Sequence, residues 1–120
     1  MKNQGYLTTH VLDMVSGAPA AKMKIELFEI DGNSRKLLSS VFTNEDGRCE
    51  KPILEQGQFK TGCYELLFFV ADYFAAMSAQ LPSGQFLDIV PVRFMITDEA
   101  SHYHVPLLVS PYGYSTYRGS

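Results

Sequence analysis

Tyr103-His104-Val105-Pro106-Leu107-Leu108-Val109-Ser110 is the stretch of this 120-residue chain that decides the fold. Its pattern is that of a β-strand, in which successive side chains point to opposite faces. Val105 and Leu107 are the better core candidates, so they are expected to face the interior. His104 then lies on the opposite face of the strand and points away from the core.

A second strand-like run, Leu7 to Val15, lies near the amino end of the chain. If Val11 faces the core, His10 shares the outward face with Thr8. Two histidines turned away from the core on neighbouring strands of one sheet could meet. Imidazole has a free pKa close to neutrality, so a pair formed by His10 and His104 would suit proton transfer.

The tail Tyr117-Arg118-Gly119-Ser120 follows directly after a strand-like run. Chain ends usually fray, yet this one combines an aromatic ring, a guanidinium and a hydroxyl, which favours its being part of a site. Ser120 also offers the α-carboxylate, which could place a water molecule. Arg48 follows the turn residues Asp46-Gly47, where its guanidinium could hold a planar, carbonyl-rich ligand by two parallel hydrogen bonds.

Composition bounds the class of protein. The length predicts a single domain over residues 1–120, and the hydrophobic fraction of 46% supports a core. The net charge of -3 and the scattered basic residues argue against nucleic acid as a partner. The longest apolar stretch, Leu66 to Ala76, contains Asp72 and is too short to cross a bilayer, so no membrane partner is expected.

Location and redox state follow from the same reading. Residues 1–20 lack a basic start followed by an apolar run, so a signal peptide is not expected. We expect a cytoplasmic protein, or a peroxisomal one in a eukaryote, although the chain carries no Ser-Lys-Leu end. Cys49 and Cys63 are expected to remain reduced.

Short β-like runs separated by turn residues predict seven or eight strands arranged as an antiparallel sandwich. One segment, Asp72 to Gln80, contains good helix formers, with Asp72 as the expected N-cap and Pro82 and Gly84 as terminators. The expected strands are Leu7 to Val15, Met23 to Ile30, Lys36 to Thr43, Cys63 to Val70, Val92 to Thr97, Tyr103 to Ser110 and Tyr112 to Arg118. Met14, Met77 and Met95 are expected to fill the core.

Two alternatives to metal-free proton transfer can be weighed from the residues alone. His102 and His104 lie on one strand face, and with His10 they could form a three-histidine zinc site. We expect no metal, because His102 lies at a loop edge and no carboxylate or thiol is close in sequence to complete the set. The chain has no Gly-x-Ser-x-Gly elbow, so a covalent acyl intermediate is not supported either.

Two long stretches resemble the signature sequences of the transthyretin family. The first is His10-Val11-Leu12-Asp13 followed by Gly17-Ala18-Pro19-Ala20, and the second is Tyr103 to Ser120. The family contains hormone carriers, which lack the histidines and the Tyr-Arg-Gly-Ser ending, and 5-hydroxyisourate hydrolases of purine (urate) degradation, which keep them. The chain resembles the enzymes at each distinguishing position. It departs from the expected pattern at Phe86 to Val92, where a Pro-Glu pair is absent.

The resemblance implies an all-β, transthyretin-like (prealbumin-like) sandwich of two four-stranded sheets with one short helix. It also implies a homotetramer, a dimer of dimers, with a central channel. A face that carries His10, Leu12, His104 and Leu108 is too mixed for a core and too apolar for plain surface, so it should line an interface. Edge strands that pair between subunits would cover their open hydrogen-bonding groups.

The resemblance further implies hydrolysis of 5-hydroxyisourate to 2-oxo-4-hydroxy-4-carboxy-5-ureidoimidazoline by water, without cofactor. His10 and His104 would handle the proton, Arg48 would hold the substrate carbonyls, and Ser120 would place the water. Tyr117 and Arg118 would shape the substrate pocket. The alternative function is a non-catalytic carrier that binds an aromatic small molecule in the tetramer channel.

Overall fold

The architecture is a sandwich of two four-stranded sheets in a computed structural model that describes residues 4–55, 57–77, 81 and 84–119. The elements are β1 (Tyr6–Asp13), β2 (Ala18–Pro19), β3 (Lys24–Asp31), β4 (Ser34–Phe42), β5 (Gly62–Phe69), α1 (Val70–Ala76), β6 (Ile89–Ile96), β7 (His102–Ser110) and β8 (Gly113–Thr116). The first sheet has the strand order β2-β1-β7-β8 and the second the order β4-β3-β5-β6, which confirms the predicted all-β class.

Alternation along the strands separates a core face from an outward face. In β1, Leu7, Thr9 and Val11 are buried while the residues between them are partly exposed. In β7, Val105 and Leu107 are buried and the residue before them, His104, is only partly buried, as predicted. The core is formed where the inner faces of the two sheets meet, since the buried apolar side chains of both form one cluster.

The pairing of β1 with β7 differs from the expected antiparallel sandwich. These two strands run parallel, with Thr8 opposite His104 and His10 opposite Pro106, whereas the other strand pairs are antiparallel. Hydrophobic alternation reports which face of a strand is buried but not the direction of its neighbour, so the sequence could not predict this pairing. The pairing is decisive for the site, because it sets the two histidine-bearing strands side by side.

The helix begins earlier than expected, and the predicted N-cap is wrong. Helix α1 starts at Val70 directly after β5, its N-cap is Phe69, and Asp72 lies inside the first turn. There the Asp72 carboxylate faces the positive end of the helix dipole, which accounts for the acidic residue at this place. The helix ends at Ala76, and the predicted continuation through residues 78–80 lies outside the described residues, as does Pro82.

The predicted methionine packing is also wrong. Met14, Met77 and Met95 are 54%, 56% and 65% exposed. Met14 lies just beyond the end of β1, Met77 follows α1, and Met95 lies on the outward face of β6. Strand β6 begins at Ile89 rather than Val92 and occupies one edge of its sheet, where Pro91 is tolerated.

Buried polar side chains in the described part of the chain all have hydrogen-bond partners. The carboxylate of Asp13 accepts the Tyr73 hydroxyl at 2.8 Å and the amide of Val15 at 2.8 Å. Burial, together with this carboxylate, raises the pKa of Tyr73 far above its ordinary value. The hydrogen bond between Tyr73 and Asp13 ties the end of β1 to helix α1.

Cys49 and Cys63 are free thiols, in agreement with the reduced state that was predicted. No helix among the described residues is both long and apolar enough to cross a membrane.

A tight turn fixes the segment that carries Arg48. Gly47 has a φ of 73°, and its carbonyl accepts the Val11 amide of β1 at 2.9 Å. A Cβ atom at Gly47 would lie 2.6 Å from the Val11 carbonyl oxygen, so any larger residue would push the turn away from β1. Glycine is therefore required here by both the backbone angle and the space.

Replacing Gly47 with alanine should destabilise the protein more than the same change at Gly32. Gly32 also has a positive φ, of 62°, but a Cβ atom there would meet no atom within 4 Å. We expect Gly32→Ala to cost about 1–2 kcal/mol from backbone strain alone. Gly47→Ala adds the steric conflict and should cost clearly more, measured as the free energy of unfolding in urea. Equal losses for the two variants would contradict this account of the turn.

Candidate active site

The outward face of the β1–β7 pair carries the three histidines of the chain. The parallel register sets Thr8 beside His104 and Tyr6 beside His102. His102, the first residue of β7, shares the outward face with His104 because the two are separated by one residue. His10 lies on the same face of β1, two residues beyond Thr8. The structure thus confirms that the predicted pair, His10 and His104, lies on one face of one sheet.

A threonine hydroxyl joins two of the imidazoles. Thr8 Oγ1 lies 2.6 Å from His102 Nε2 and 2.8 Å from His104 Nδ1. The two rings are tilted, with centroids 6.0 Å apart, and the His102 ring stacks on Tyr6 at 4.1 Å. Thr8, Tyr6 and His102 were not among the predicted site residues. The signal was nonetheless present, since the alternation that exposes His10 and His104 also exposes Thr8 and His102.

Arg48 reaches the site through main-chain pairing. It forms an isolated antiparallel bridge with His10, so the turn runs alongside β1. The side chain of Asn44 holds the turn by accepting the amides of Asp46 at 2.9 Å and of Arg48 at 3.1 Å. The main chain of Arg48 therefore lies beside that of His10.

The tail is attached to the strand that carries His104. The Gly119 amide donates to the His104 carbonyl at 2.6 Å, and the His104 amide donates to the Gly119 carbonyl at 3.3 Å. A Cβ atom at Gly119 would lie 3.1 Å from His104 Cδ2, so glycine allows the tail to pass directly against the imidazole. Ser120, which was predicted to place the water, lies outside the described residues.

The two residues before this contact differ in their environment. The Arg118 guanidinium lies 4.2 Å above the Tyr103 ring and donates to the His102 carbonyl at 3.4 Å. Tyr103 lies on the opposite face of β7 from His102 and His104, so Arg118 is linked to the histidines through the His102 carbonyl and through the effect of its charge on the pKa of His102. Tyr117, which was predicted to shape the substrate pocket, is 61% exposed.

The environment favours neutral imidazoles. Burial lowers the pKa of His104 below its ordinary value of 6.5, and the charges of Arg48, His102 and His10 lower it further. Burial and then Arg48 also lower the pKa of His10, although the main-chain hydrogen bond and the charge of Asp46 oppose that shift. Burial and Arg118 lower the pKa of His102. Neutral imidazoles at neutral pH can accept protons, which is what a general base requires.

A cleft of about 460 Å³ opens beside this face, and we call it the histidine cleft. It is lined by Tyr6, Thr8, Thr9, Arg48, Cys49, Glu50, Lys51, Pro52, His102 and His104. His10 is not part of the lining but influences the pKa of His104. Burial raises the pKa of Cys49 to about 11, so its thiol is a poor nucleophile at neutral pH.

A second cleft, of about 640 Å³, lies on the other sheet, between β3, β4 and the segment from Cys49 to Lys60. Its lining includes Leu38, Val41 and Tyr64 but none of the histidines. Among residues 4–55, 57–77, 81 and 84–119, no group of three His, Cys, Asp or Glu side chains is arranged to hold a metal ion. The three histidines share a face without forming such a group.

Residues 7–119 match the model of the HIUase/Transthyretin family. The chain is 54% identical to 5-hydroxyisourate hydrolase 2 of Rhizobium meliloti, over the full length of both chains. It is 51% identical to the 5-hydroxyisourate hydrolase of Pseudomonas aeruginosa, covering 97% of this chain and 92% of that protein.

Solved structures agree with this relationship. The 5-hydroxyisourate hydrolase of Klebsiella pneumoniae superposes with a TM-score of 0.80 at 29% identity, covering 98% of this chain and 100% of that one. An (S)-allantoin synthase gives a TM-score of 0.92 at 45% identity, but this chain spans only 46% of its length. Transthyretin from Sparus aurata shares the fold, with a TM-score of 0.84 at 23% identity. The superposition covers 94% of this chain and 95% of the transthyretin chain. The family match and these relatives together show that the chain belongs to the HIUase/Transthyretin family.

Proposed function

We propose that this protein is an enzyme that hydrolyses 5-hydroxyisourate, acting in purine degradation. The observation that carries the proposal is the outward face of β1 and β7, which holds both His10 and His104, with the main chain of Arg48 paired to that of His10. Relatives that carry the name 5-hydroxyisourate hydrolase match the chain at 40–54% identity, including one from Mus musculus. The carrier alternative has weaker support, because the transthyretin structures are only 23% identical and share the fold alone.

The proposed reaction opens the six-membered ring of the substrate. A water oxygen bonds to the carbonyl carbon of the cyclic amide, and the carbon–nitrogen bond breaks. One water proton passes to an imidazole of the pair His10 and His104, and a proton is returned to the leaving nitrogen. The lowered pKa of both histidines keeps a base ready at neutral pH.

Arg48 supplies the positive charge. As negative charge develops on the carbonyl oxygen, the guanidinium of Arg48 would stabilise it. The turn of Asn44 and the main-chain bridge to His10 fix the segment that carries Arg48. Arg48 and His10 would also bind the substrate before the reaction, since a guanidinium can grip two carbonyl groups at once.

The tail completes the proposed site. The paired main chains of Gly119 and His104 bring Gly119 to the imidazole. We propose that Ser120 places the attacking water and that Tyr117 and Arg118 shape the substrate pocket. Exposure of Tyr117 in a single subunit fits a residue that a neighbouring subunit covers.

A homotetramer, built as a dimer of dimers, is the proposed assembly. Strands β6 and β8 lie at the ends of the two sheets, and exposed apolar side chains accompany both, Met95 on β6 and Tyr114 on β8. Pairing of edge strands between subunits would cover their free amides and carbonyls. The face with His10 and Leu12 would then line a symmetric interface. The cytoplasm remains the proposed location, or the peroxisome in a eukaryote.

Replacing either histidine with asparagine should abolish most of the activity and leave the fold intact. We expect His10→Asn and His104→Asn each to lose about a hundred- to ten-thousandfold in kcat, the usual contribution of a positioned general base or acid. The measurement is the ultraviolet absorbance of freshly generated 5-hydroxyisourate, corrected for its spontaneous decay.

Two controls make this result specific. The thermal unfolding midpoint of both variants should stay close to that of the wild type, because both rings point away from the core. Wild-type protein dialysed against EDTA should keep its full rate if water is activated by imidazole alone. Wild-type turnover in either variant would contradict the assigned roles, and a carrier would slow or ignore the decay of the substrate.

The pH profile should reveal the influence of Arg48. Because burial and Arg48 lower the pKa of His10 and His104, the acid limb of the wild-type kcat/KM profile, where the imidazoles become protonated, should have its midpoint below pH 6.5. Replacing Arg48 with glutamine removes one of the charges that oppose protonation. The acid limb of Arg48→Gln should therefore move to higher pH, in addition to an overall loss of rate. An unchanged limb, or a wild-type midpoint above 6.5, would contradict the electrostatic account.

A further inference from the structure

The hydroxyl of Thr8 lies between two imidazole nitrogens, and the proposed reaction as described so far uses only one of those rings. Thr8 Oγ1 is 2.6 Å from His102 Nε2 and 2.8 Å from His104 Nδ1. A threonine hydroxyl has a single hydrogen, so it can donate to only one of the two nitrogens. The direction of each bond therefore determines where both imidazoles carry their protons.

The two distances favour one assignment of donor and acceptor. A separation of 2.6 Å is shorter than the range of about 2.7–3.2 Å that N–H donors reach, but it lies within the range of O–H donors. The 2.8 Å separation to His104 is compatible with an N–H donor. An arrangement in which Thr8 donates its hydrogen to His102 Nε2 and accepts one from His104 Nδ1 fits both distances.

Building on the proposed function, we propose that His102 is a positioning residue that acts through Thr8 to hold His104 as the Nδ1–H tautomer, which makes His104 the general base. A neutral imidazole carries one N–H, so a proton on Nδ1 leaves a lone pair on Nε2. His104 lines the histidine cleft, where the attacking water would bind. The role left for His10 is to steady the water or the leaving nitrogen by hydrogen bonding.

Several contacts hold His102 in place for this role. Its ring stacks on Tyr6 with a centroid distance of 4.1 Å and an angle of 9° between the planes. Its carbonyl accepts a hydrogen bond from Arg118 at 3.4 Å. Because Tyr6 pairs with His102 in the parallel register just as Thr8 pairs with His104, the stack and the hydroxyl bridge come from one strand pairing. The ring nitrogen that accepts from Thr8 is therefore fixed by packing as well as by the hydrogen bond.

Charged groups around the two rings also favour the unprotonated state that the relay requires. Arg48, His10 and His102 act on His104, and Arg118 acts on His102. The remaining charged side chains in the lining of the cleft, besides Arg48, are those of Glu50 and Lys51. A proton added to His102 Nε2 would reverse its bond with Thr8, because the nitrogen would then be a donor. The relay is consequently intact only while His102 is neutral.

The proton balance of the step is simple. A water proton moves to His104 Nε2 as the water oxygen bonds to the carbonyl carbon, and the resulting imidazolium keeps its Nδ1–H bonded to Thr8 Oγ1. That bond now has a charged donor and is therefore stronger than in the ground state. The proton on His104 Nε2 is later transferred to the leaving nitrogen of the substrate, when the carbon–nitrogen bond of the cyclic amide breaks. Thr8 and His102 return unchanged, as positioning residues should.

The tautomer can be read directly in the free protein by NMR with ¹⁵N-labelled histidine near pH 8. Two-bond and three-bond couplings of the imidazole protons identify which nitrogen of each ring is protonated. We expect the Nδ1–H form for His104 and also for His102, whose Nε2 accepts from Thr8. A predominant Nε2–H form of His104 in the wild type would overturn the proposal, whether or not the protein hydrolyses 5-hydroxyisourate.

Kinetics of matched variants test the role of the relay. Thr8→Val keeps the shape but removes the hydroxyl, and we expect it to lower kcat about ten- to hundredfold with little change in KM, as loss of one hydrogen bond to a charged group does. Thr8→Ser restores the hydroxyl and should recover most of the rate. His102→Phe keeps an aromatic ring against Tyr6 while removing the acceptor, so it should lower kcat and shift His104 toward a mixture of tautomers.

The outcomes separate this proposal from the function on which it rests. Full kcat in Thr8→Val and His102→Phe would overturn the relay even if His104→Asn is inactive. Failure of the wild type to speed the decay of the substrate would overturn the proposed function, and with it the role of His104 as base. A lower kcat without recovery in Thr8→Ser would also count against the relay, since it would show that the hydroxyl is not the group that matters.

Discussion

The parallel pairing of β1 with β7 is the constraint on which the rest of the site depends. It sets Thr8 beside His104 and Tyr6 beside His102, and it leaves the imidazoles on the face opposite the core. A shift of one residue in either strand would turn its histidines into the sandwich interior and bring core side chains outward. The buried residues between them, such as Val11 and Leu107, therefore fix the position of the reactive groups by packing alone. The site is a consequence of the register, because the same alternation that buries the apolar side chains places the imidazoles on the outward face.

Two other segments are attached to this strand pair through their main chains. The turn before Arg48 is held by the hydrogen bond from Val11 to Gly47, and the tail is held by the pairing of Gly119 with His104. Main-chain attachment needs glycine where the segments approach most closely, which explains a glycine directly before Arg48 and another directly after Arg118. The guanidinium of Arg48 then affects both His10 and His104, so the charge that would bind the substrate also keeps the bases unprotonated.

Much of this arrangement could be predicted from the sequence, and the failures have physical causes. The alternation of apolar residues along β1 and β7 showed that His10 and His104 lie on the outward faces of their strands, because the buried face of a strand can be recognised from its local sequence. It could not predict that β1 and β7 run parallel, because strand direction is set by tertiary connection. Asp72 was predicted as an N-cap from its residue type, but the buried Val70 extends the helix backwards into the end of β5. His102 was considered only as a zinc ligand and Thr8 only as a neighbour of His10, because the bridge between Thr8 and the two imidazoles is revealed only by distances.

The most direct test of the central claim is where a purine-like ring binds. Urate, a stable cyclic analogue of the substrate, can be titrated into ¹⁵N-labelled protein while amide and imidazole resonances are followed by NMR. The account predicts saturable shifts at the imidazole of His104 and the amide of Arg48, which line the histidine cleft, and at the imidazole of His10 on the same sheet face. Shifts confined to residues of the second cleft, such as Leu38 and Tyr64, would contradict it.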